Sequence, residues 1–234
     1  MPANRIKKEP AYERRAKRQQ ERKPKNIACR ILIVCEGEKT EPYYFRSFDV
    51  VNNGSFVYDI TAKGYGLNTV GVVDKAIELN IKNDGLYDAG WAVFDKDSFS
   101  DDNFNRAIDK AEQNNINVAW SNEAFELWYL LHFQYRNTPM SRDDYQREIA
   151  KAVNAKSNNK LCYTYKKNNK DNCRIINEYG SLDDAIRNAK KLHDSFVDNS
   201  YSKHNPCTTV YKLVLQLLDK DIDLINRVME KINS

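Results

Sequence analysis

Arg30-Ile31-Leu32-Ile33-Val34-Cys35-Glu36, followed by Gly37, is the stretch on which the fold turns. Five apolar residues stand in a row, three of them β-branched, with no polar alternation. Such a run belongs to a strand covered on both faces, as in a parallel sheet, and the glycine after it marks a turn. Thr40 can cap the helix that follows, and Pro42 is tolerated in its first turn.

The same alternation continues outward. Ser55–Thr61 reads as a second strand. Val70, Val73, Ile77 and Ile81 recur at helical spacing until Asn83-Asp84-Gly85 stops the helix. Trp91–Phe94 is a third strand, ending in Asp95-Lys96-Asp97. Phe104, Ala107, Ile108 and Ala111 mark a helix, Ile116–Trp120 a fourth strand, and 124–133 a further helix. Four strand–helix alternations predict an α/β domain with a mostly parallel sheet flanked by helices. From residue 124 onward helical patterns dominate, so C-terminal helical additions are expected. The organisation is thus a basic arm at 1–26, an α/β core at 27–135, and a mainly helical region at 136–234 with a basic loop at 156–172.

The chain has 234 residues, enough for one domain with a sizeable core. With 30% charged residues and a mean hydropathy of −0.75, it does not read as a membrane protein. No apolar stretch approaches the roughly 18 residues of a bilayer span. The N-terminal stretch carries no apolar block of a signal peptide, so the cytoplasm is the expected location. Five cysteines without a CxxC pair argue against a disulfide framework and a structural zinc site. No GxxxxGK[ST] run is present, so ATP binding by a P-loop is not expected.

The net charge of +4 is unevenly placed. Residues 1–26 hold ten basic and three acidic residues, whereas the remainder has 27 against 30. Arg14, Arg15 and Arg18 in this arm are candidate contacts to a polyanion. Residues 151–175 form a second basic stretch, seven against one. There Tyr163, Tyr165, Lys166, Lys167 and Lys170 interleave rings and cations in an apparently exposed loop. That pattern suits nucleic-acid backbones and unstacked bases.

Glu36 ends the first strand, and Asp95 and Asp97 end the third. Ligands bind open α/β sheets at this edge, where crossovers diverge. Converging carboxylates are costly without a cation between them, and hard oxygen donors suit Mg²⁺ or Mn²⁺.

These motifs resemble those of Toprim domains, which pair a glutamate after the first strand with a later DxD. More closely, the chain resembles the RloB-like family, a defence-associated group encoded near restriction systems or beside a partner ATPase. The resemblance rests on Val34-Cys35-Glu36-Gly37-Glu38-Lys39-Thr40-Glu41-Pro42-Tyr43-Tyr44-Phe45, Phe94-Asp95-Lys96-Asp97, Ser121-Asn122-Glu123-Ala124-Phe125-Glu126-Leu127-Trp128 and Asn205-Pro206-Cys207-Thr208-Thr209-Val210. Where that family usually has proline after the Ser-Asn pair, this chain has Glu123. The resemblance implies a Toprim-like sheet and a Mg²⁺-dependent nuclease acting on DNA or RNA in an antiphage system. Glu36 would act as general acid/base or as a second metal contact, with Asp95 and Asp97 holding the metal and Glu126 helping to bind it. Lys39 and Lys96 are candidates to steady developing negative charge. The implied partners are nucleic acid and an ATPase, with homo-oligomerisation open. The alternative is a non-catalytic partner that binds nucleic acid or the ATPase.

Of the remaining polar groups, Glu41 reads as serving a helix N-terminus. Between Glu123 and Glu126, the latter is favoured because Phe125 and Trp128 should anchor its helix. Trp128, Tyr129, Leu131, Phe133 and His132 read as core.

Overall fold

The structure is a computed structural model that describes residues 27–50, 56–83, 86–97, 99–218 and 222–233. The arm at 1–26, with Arg14, Arg15 and Arg18, lies outside the described residues.

Strands β1 (Ile27–Cys35), β2 (Phe56–Gly64), β3 (Ala89–Asp95), β4 (Asn117–Asn122) and β5 (Cys207–Thr208) form one sheet in the order β2-β1-β3-β4-β5. The first three pairings are parallel, and β5 adds an antiparallel edge to β4. The sheet and the helices around it are the expected α/β architecture, with C-terminal helices. β5 is a strand that the sequence pattern did not announce, because two residues carry no periodicity.

β1 shows why a continuous apolar run was needed. Ile31, Ile33 and Cys35 point into one core, and Leu32 and Val34 into another. β3 divides the same way, Trp91 and Val93 against Ala92 and Phe94. On the second face lie α2 (Thr69–Lys82) and α3 (Asp101–Gln113), through Val72, Val73, Phe104 and Ala107. Asn68 and Ser100 cap these helices, accepting from Gly71 N and Asn103 N. The first face is covered by α1 (Thr40–Arg46) and α4 (Glu126–Leu131), with α5 (Arg142–Lys156), α6 (Asp171–Tyr179), α7 (Leu182–His193), α8 (Val210–Leu217) and α9 (Ile222–Asn233) completing that side.

At the centre of the first face, the Tyr44 ring from α1 meets Phe45, Phe48, Phe125, Trp128, Tyr129 and His132 edge-on, with centroids 5.4–6.3 Å away. Offset and edge-on ring pairs add to area burial. His132 is fully inside; its Nδ1 lies 2.9 Å from Trp128 O, and burial pushes its pKa down to about 4. It is a neutral core histidine, as expected. The helix predicted over 124–133 is shorter, Glu126–Leu131, so Glu126 is its first residue rather than one turn in.

Among the described residues, no helix is long and apolar enough to cross a membrane. All five cysteines are free, as expected for a chain without a disulfide framework.

Candidate metal centre

The sheet order places β1 between β2 and β3. The chain leaves β1 toward one side and returns past it to the other, so the C-terminal ends of β1 and β3 bound the crevice where such sheets bind ligands. Cys35 pairs with Val93, and Glu36 N donates to Val93 O at 2.9 Å. Glu36 and Asp95 thereby arrive side by side, and Asp95 N donates to Glu36 Oε2 at 3.2 Å. Asp95 keeps the parity of Trp91 and Val93 and so faces α1 and α4. Those helices contribute Glu41 and Glu126, both buried.

One guanidinium holds three of these carboxylates. Arg142, the first residue of α5, places Nη2 3.3 Å from Asp95 Oδ2 and Nη1 3.2 Å from Asp97 Oδ2. Its Nε lies 3.9 Å from Glu126 Oε2, an ionic rather than a hydrogen-bonding distance. Tyr165 OH donates to Glu126 Oε1 at 3.2 Å, and Gln146 Nε2 approaches the same oxygen at 3.4 Å. Asp97 takes a positive φ of 37° in the turn after β3, and its N–H donates to Glu123 O. A cavity of about 450 Å³ opens over the cluster, lined among others by Glu36, Glu38, Glu41, Asp95, Arg142 and Lys167.

Burial pushes the Glu36 carboxyl up to about 7; the Asp95 N–H opposes this, while Glu41 and Asp97 add to it. Asp95 is raised well above the carboxylate range, first by burial and then by Glu41, Glu126 and Glu36. Glu41 is raised by burial and by Glu126. Burial works against the Arg142 cation, but Asp95, Glu126 and Asp97 outweigh it and move its pKa up. Among the described residues, the five carboxylates thus outnumber the cations beside them, Arg142 and Lys167.

That imbalance has a consequence for stability. Glu36 binds its proton more tightly folded than unfolded, so folding gains stability as pH falls through about 7 and loses it as pH rises. His132, whose folded pKa is depressed, works the other way only below about 6.5. In chelator, the melting temperature should therefore be higher at pH 6.5 than at pH 8. Glu41→Gln, which keeps shape and removes a buried charge, should raise it at pH 8 and shrink the difference. A melting temperature that climbs from pH 6.5 to 8 would contradict this.

The structure brings Glu36, Asp95, Asp97 and Glu126 together. Glu123 contributes its backbone carbonyl. Lys96 turns away, its Nζ donating to Phe99 O at 2.5 Å and lying 3.1 Å from Asp101 Oδ1. Lys39 is exposed at the start of α1 and outside the cavity lining. In the loop at 157–170, Lys166, Lys167 and Lys170 are exposed, but Tyr163 and Tyr165 are not available as exposed rings. Tyr163 OH donates to buried Asn172 at 2.7 Å, and Tyr165 is committed to Glu126. The apparently exposed aromatic pair is corrected to a buried one, because each hydroxyl finds an internal partner. Asn168 and Thr40 pair at 3.3 Å, tying this loop to α1 beside the cavity.

Arg142, Glu41 and Gln146 escaped the sequence reading. Arg142 sits in a polar helix whose other charges are solvated, so nothing in its spacing sets it apart. Glu41 had a competing explanation at the helix start.

Among the described residues, no group of three or more His, Cys, Asp or Glu side chains is arranged as it stands to hold a metal ion. The donor set is nevertheless of the hard oxygen type, partly buried, and already gathered about a cation. Donors of this type suit a divalent ion, and Arg142 occupies the place between them.

A model of the RloB-like protein family matches residues 31–217. No curated protein and no solved structure gives a match.

Proposed function

The chain belongs to the RloB-like protein family, and from that premise we propose that it is a Mg²⁺- or Mn²⁺-dependent nuclease acting in antiphage defence. The observation that carries the reading is the convergence of Glu36, Glu41, Asp95 and Asp97 on one cavity at the switch point of the sheet, with Glu126 buried beside them and 3.9 Å from Arg142. Asp95, Asp97 and Glu126 would hold the ion. When bound, it would polarise a phosphoryl oxygen and lower the pKa of attacking water.

The chain's own residues do the rest. Glu36, with a carboxyl raised to about 7, can accept or return a proton near neutral pH. The Asp95 N–H on Oε2 fixes its direction. Arg142 and Lys167 line the same cavity and are the cations placed to hold phosphodiester oxygens. They take the part that the sequence assigned to Lys39 and Lys96. The exposed Lys166, Lys167 and Lys170 lie on the loop over the cavity and would guide the backbone of a nucleic acid toward it.

The test is metal-dependent nicking of supercoiled plasmid and cleavage of total RNA, with Asp95→Asn alongside. Equal activity of the variant would end the nuclease reading. Glu126→Gln should weaken Mn²⁺ binding by roughly tenfold or more, whereas Glu123→Gln should change it little, because only Glu126 has its carboxylate in the cluster. The reverse ranking in a metal titration would move the third ligand to Glu123. Deleting residues 1–26, net +7, should weaken nucleic-acid binding and flatten its salt dependence, since fewer counterions are released. An unchanged salt slope would remove the arm from the interface.

One observation favours the non-catalytic alternative. Arg142 already partly neutralises the cluster, so the carboxylates can be structural. Absence of Mn²⁺ binding by the full chain, together with a stable complex with an ATPase, would select it. Both readings leave the chain without a P-loop, so ATP would be the partner's substrate.

A further inference from the structure

A larger cavity, about 920 Å³, lies at the opposite edge of the sheet, where β3 and β4 begin. Its volume falls in the range of small-molecule sites. Trp120, Phe196 and Tyr201 form an aromatic wall. The buried Trp120 and half-buried Tyr201 stand 6.1 Å apart with planes tilted by 55°, and Phe196 stacks on His204 at 4.3 Å with planes 14° apart. His193 of α7, Lys212 of α8 and Arg227 of α9 bring three basic groups to the same space.

The charges there are unequally occupied. Asp88 Oδ2 accepts the Arg30 N–H at 2.9 Å, and Asp198 Oδ1 lies 3.0 Å from His204 Nε2. Glu112 is at the exposed rim. Lys212 and Arg227 form no ion pair among the described residues. His193 Nδ1 is engaged by Tyr211 OH at 3.0 Å, and burial and the positive Lys212 keep this imidazole below its ordinary pKa. The cavity thus offers aromatic ring faces and, among the described residues, two cations without an ion pair, the complement of a planar ring bearing an anionic group.

The geometry points to a second ligand site, in which a free nucleotide lays its base against the half-buried Tyr201 and Phe196 rings and its phosphate against Lys212 and Arg227. It is independent of the carboxylate cavity, which opens at the other ends of these strands, and does not rest on the nuclease reading.

Calorimetric titration of the full chain in chelator, with AMP, GMP, CMP, ATP, adenosine and inorganic phosphate, tests it. Chelator keeps metal-bridged phosphate off the carboxylates. At least one nucleotide should bind roughly tenfold tighter than adenosine or phosphate, a difference of about 1.4 kcal/mol. Lys212→Ala and Arg227→Ala should each weaken it at least as much with the melting temperature unchanged. Lys212→Arg should retain it, and Asp95→Asn should leave it as it is. No heat from any nucleotide in the low-millimolar range would overturn the proposal. So would binding lost through Asp95→Asn rather than Lys212→Ala, or inorganic phosphate binding as tightly as every nucleotide.

Discussion

Asp95→Asn should abolish metal-dependent cleavage, with a loss on the order of 10³-fold or more, and leave the protein folded. Asp95 is the carboxylate nearest the centre of the cluster, held between the Arg142 guanidinium and the Glu36 side chain that its own N–H binds. Asparagine keeps an oxygen for Arg142 and removes the charge a divalent ion requires. The stability outcome follows from the same surroundings. Burial and three neighbouring carboxylates already push the Asp95 pKa up, so the ionised form is under strain in the folded state. Removing that charge should hold or raise the melting temperature at pH 8. Loss of cleavage with gain of stability is the signature of a site kept for chemistry. Loss of both would make Asp95 a structural residue and leave the nuclease reading without its control. The readouts are plasmid nicking at saturating Mn²⁺ and thermal melting in chelator.

The second large effect concerns stability. Tyr44→Ala should cost about 3–5 kcal/mol, the range for deleting a buried aromatic ring. In a chain of this length that lowers the melting temperature by roughly 6–20 °C. Tyr44 is fully buried and touches six rings from α1, the turn after it, α4 and the residues flanking α4. It lies one turn beyond Glu41 on α1, and its partners surround Glu126 on α4. The ring cluster is thus what fixes two of the site's carboxylates. Tyr44→Phe keeps the ring and should stay within about 1.5 kcal/mol of the parent. A Tyr44→Ala protein that melts like the parent would show that the aromatic cluster is not the mainstay of that face.

Much of the architecture was legible because β1 is unambiguous. A run of five apolar residues ending in Glu36-Gly37 admits few readings, and the alternation after it repeats the message. Asp95 and Asp97 were legible for the same reason, since a strand end fixes where they stand. Glu126 followed from its neighbours Phe125 and Trp128, which do anchor that helix. Arg142 was not legible. Its contacts to Asp95 and Asp97 span more than 40 residues of sequence, and a single arginine at a helix start looks like surface. The loop at 157–170 misled in another way. Its composition is that of solvated chain, yet Tyr163 and Tyr165 turn inward, and only tertiary contacts decide which face of a loop is wet. β5 was invisible because its two residues gain strand character only by pairing with β4.

Gly37, after β1, and Gly64, the last residue of β2, set how tightly one side of this centre is packed. A Cβ on Gly64 would stand 2.0 Å from Gly37 O, and one on Gly37 would stand 2.2 Å from Glu41 Oε2. The loop bearing Glu36, the end of β2 and the Glu41 carboxylate are therefore in contact with no room for a methyl group. That side of the cavity behaves as the fixed jaw of a vice. The opposite jaw is the long Arg142 side chain, 3.3 Å from Asp95, and the loop with Lys167, tied to α1 by Asn168 and Thr40. Two hydrogen atoms, where other residues would carry side chains, are thus what lets the loop bearing Glu36 lie flush on the end of β2 and on Glu41.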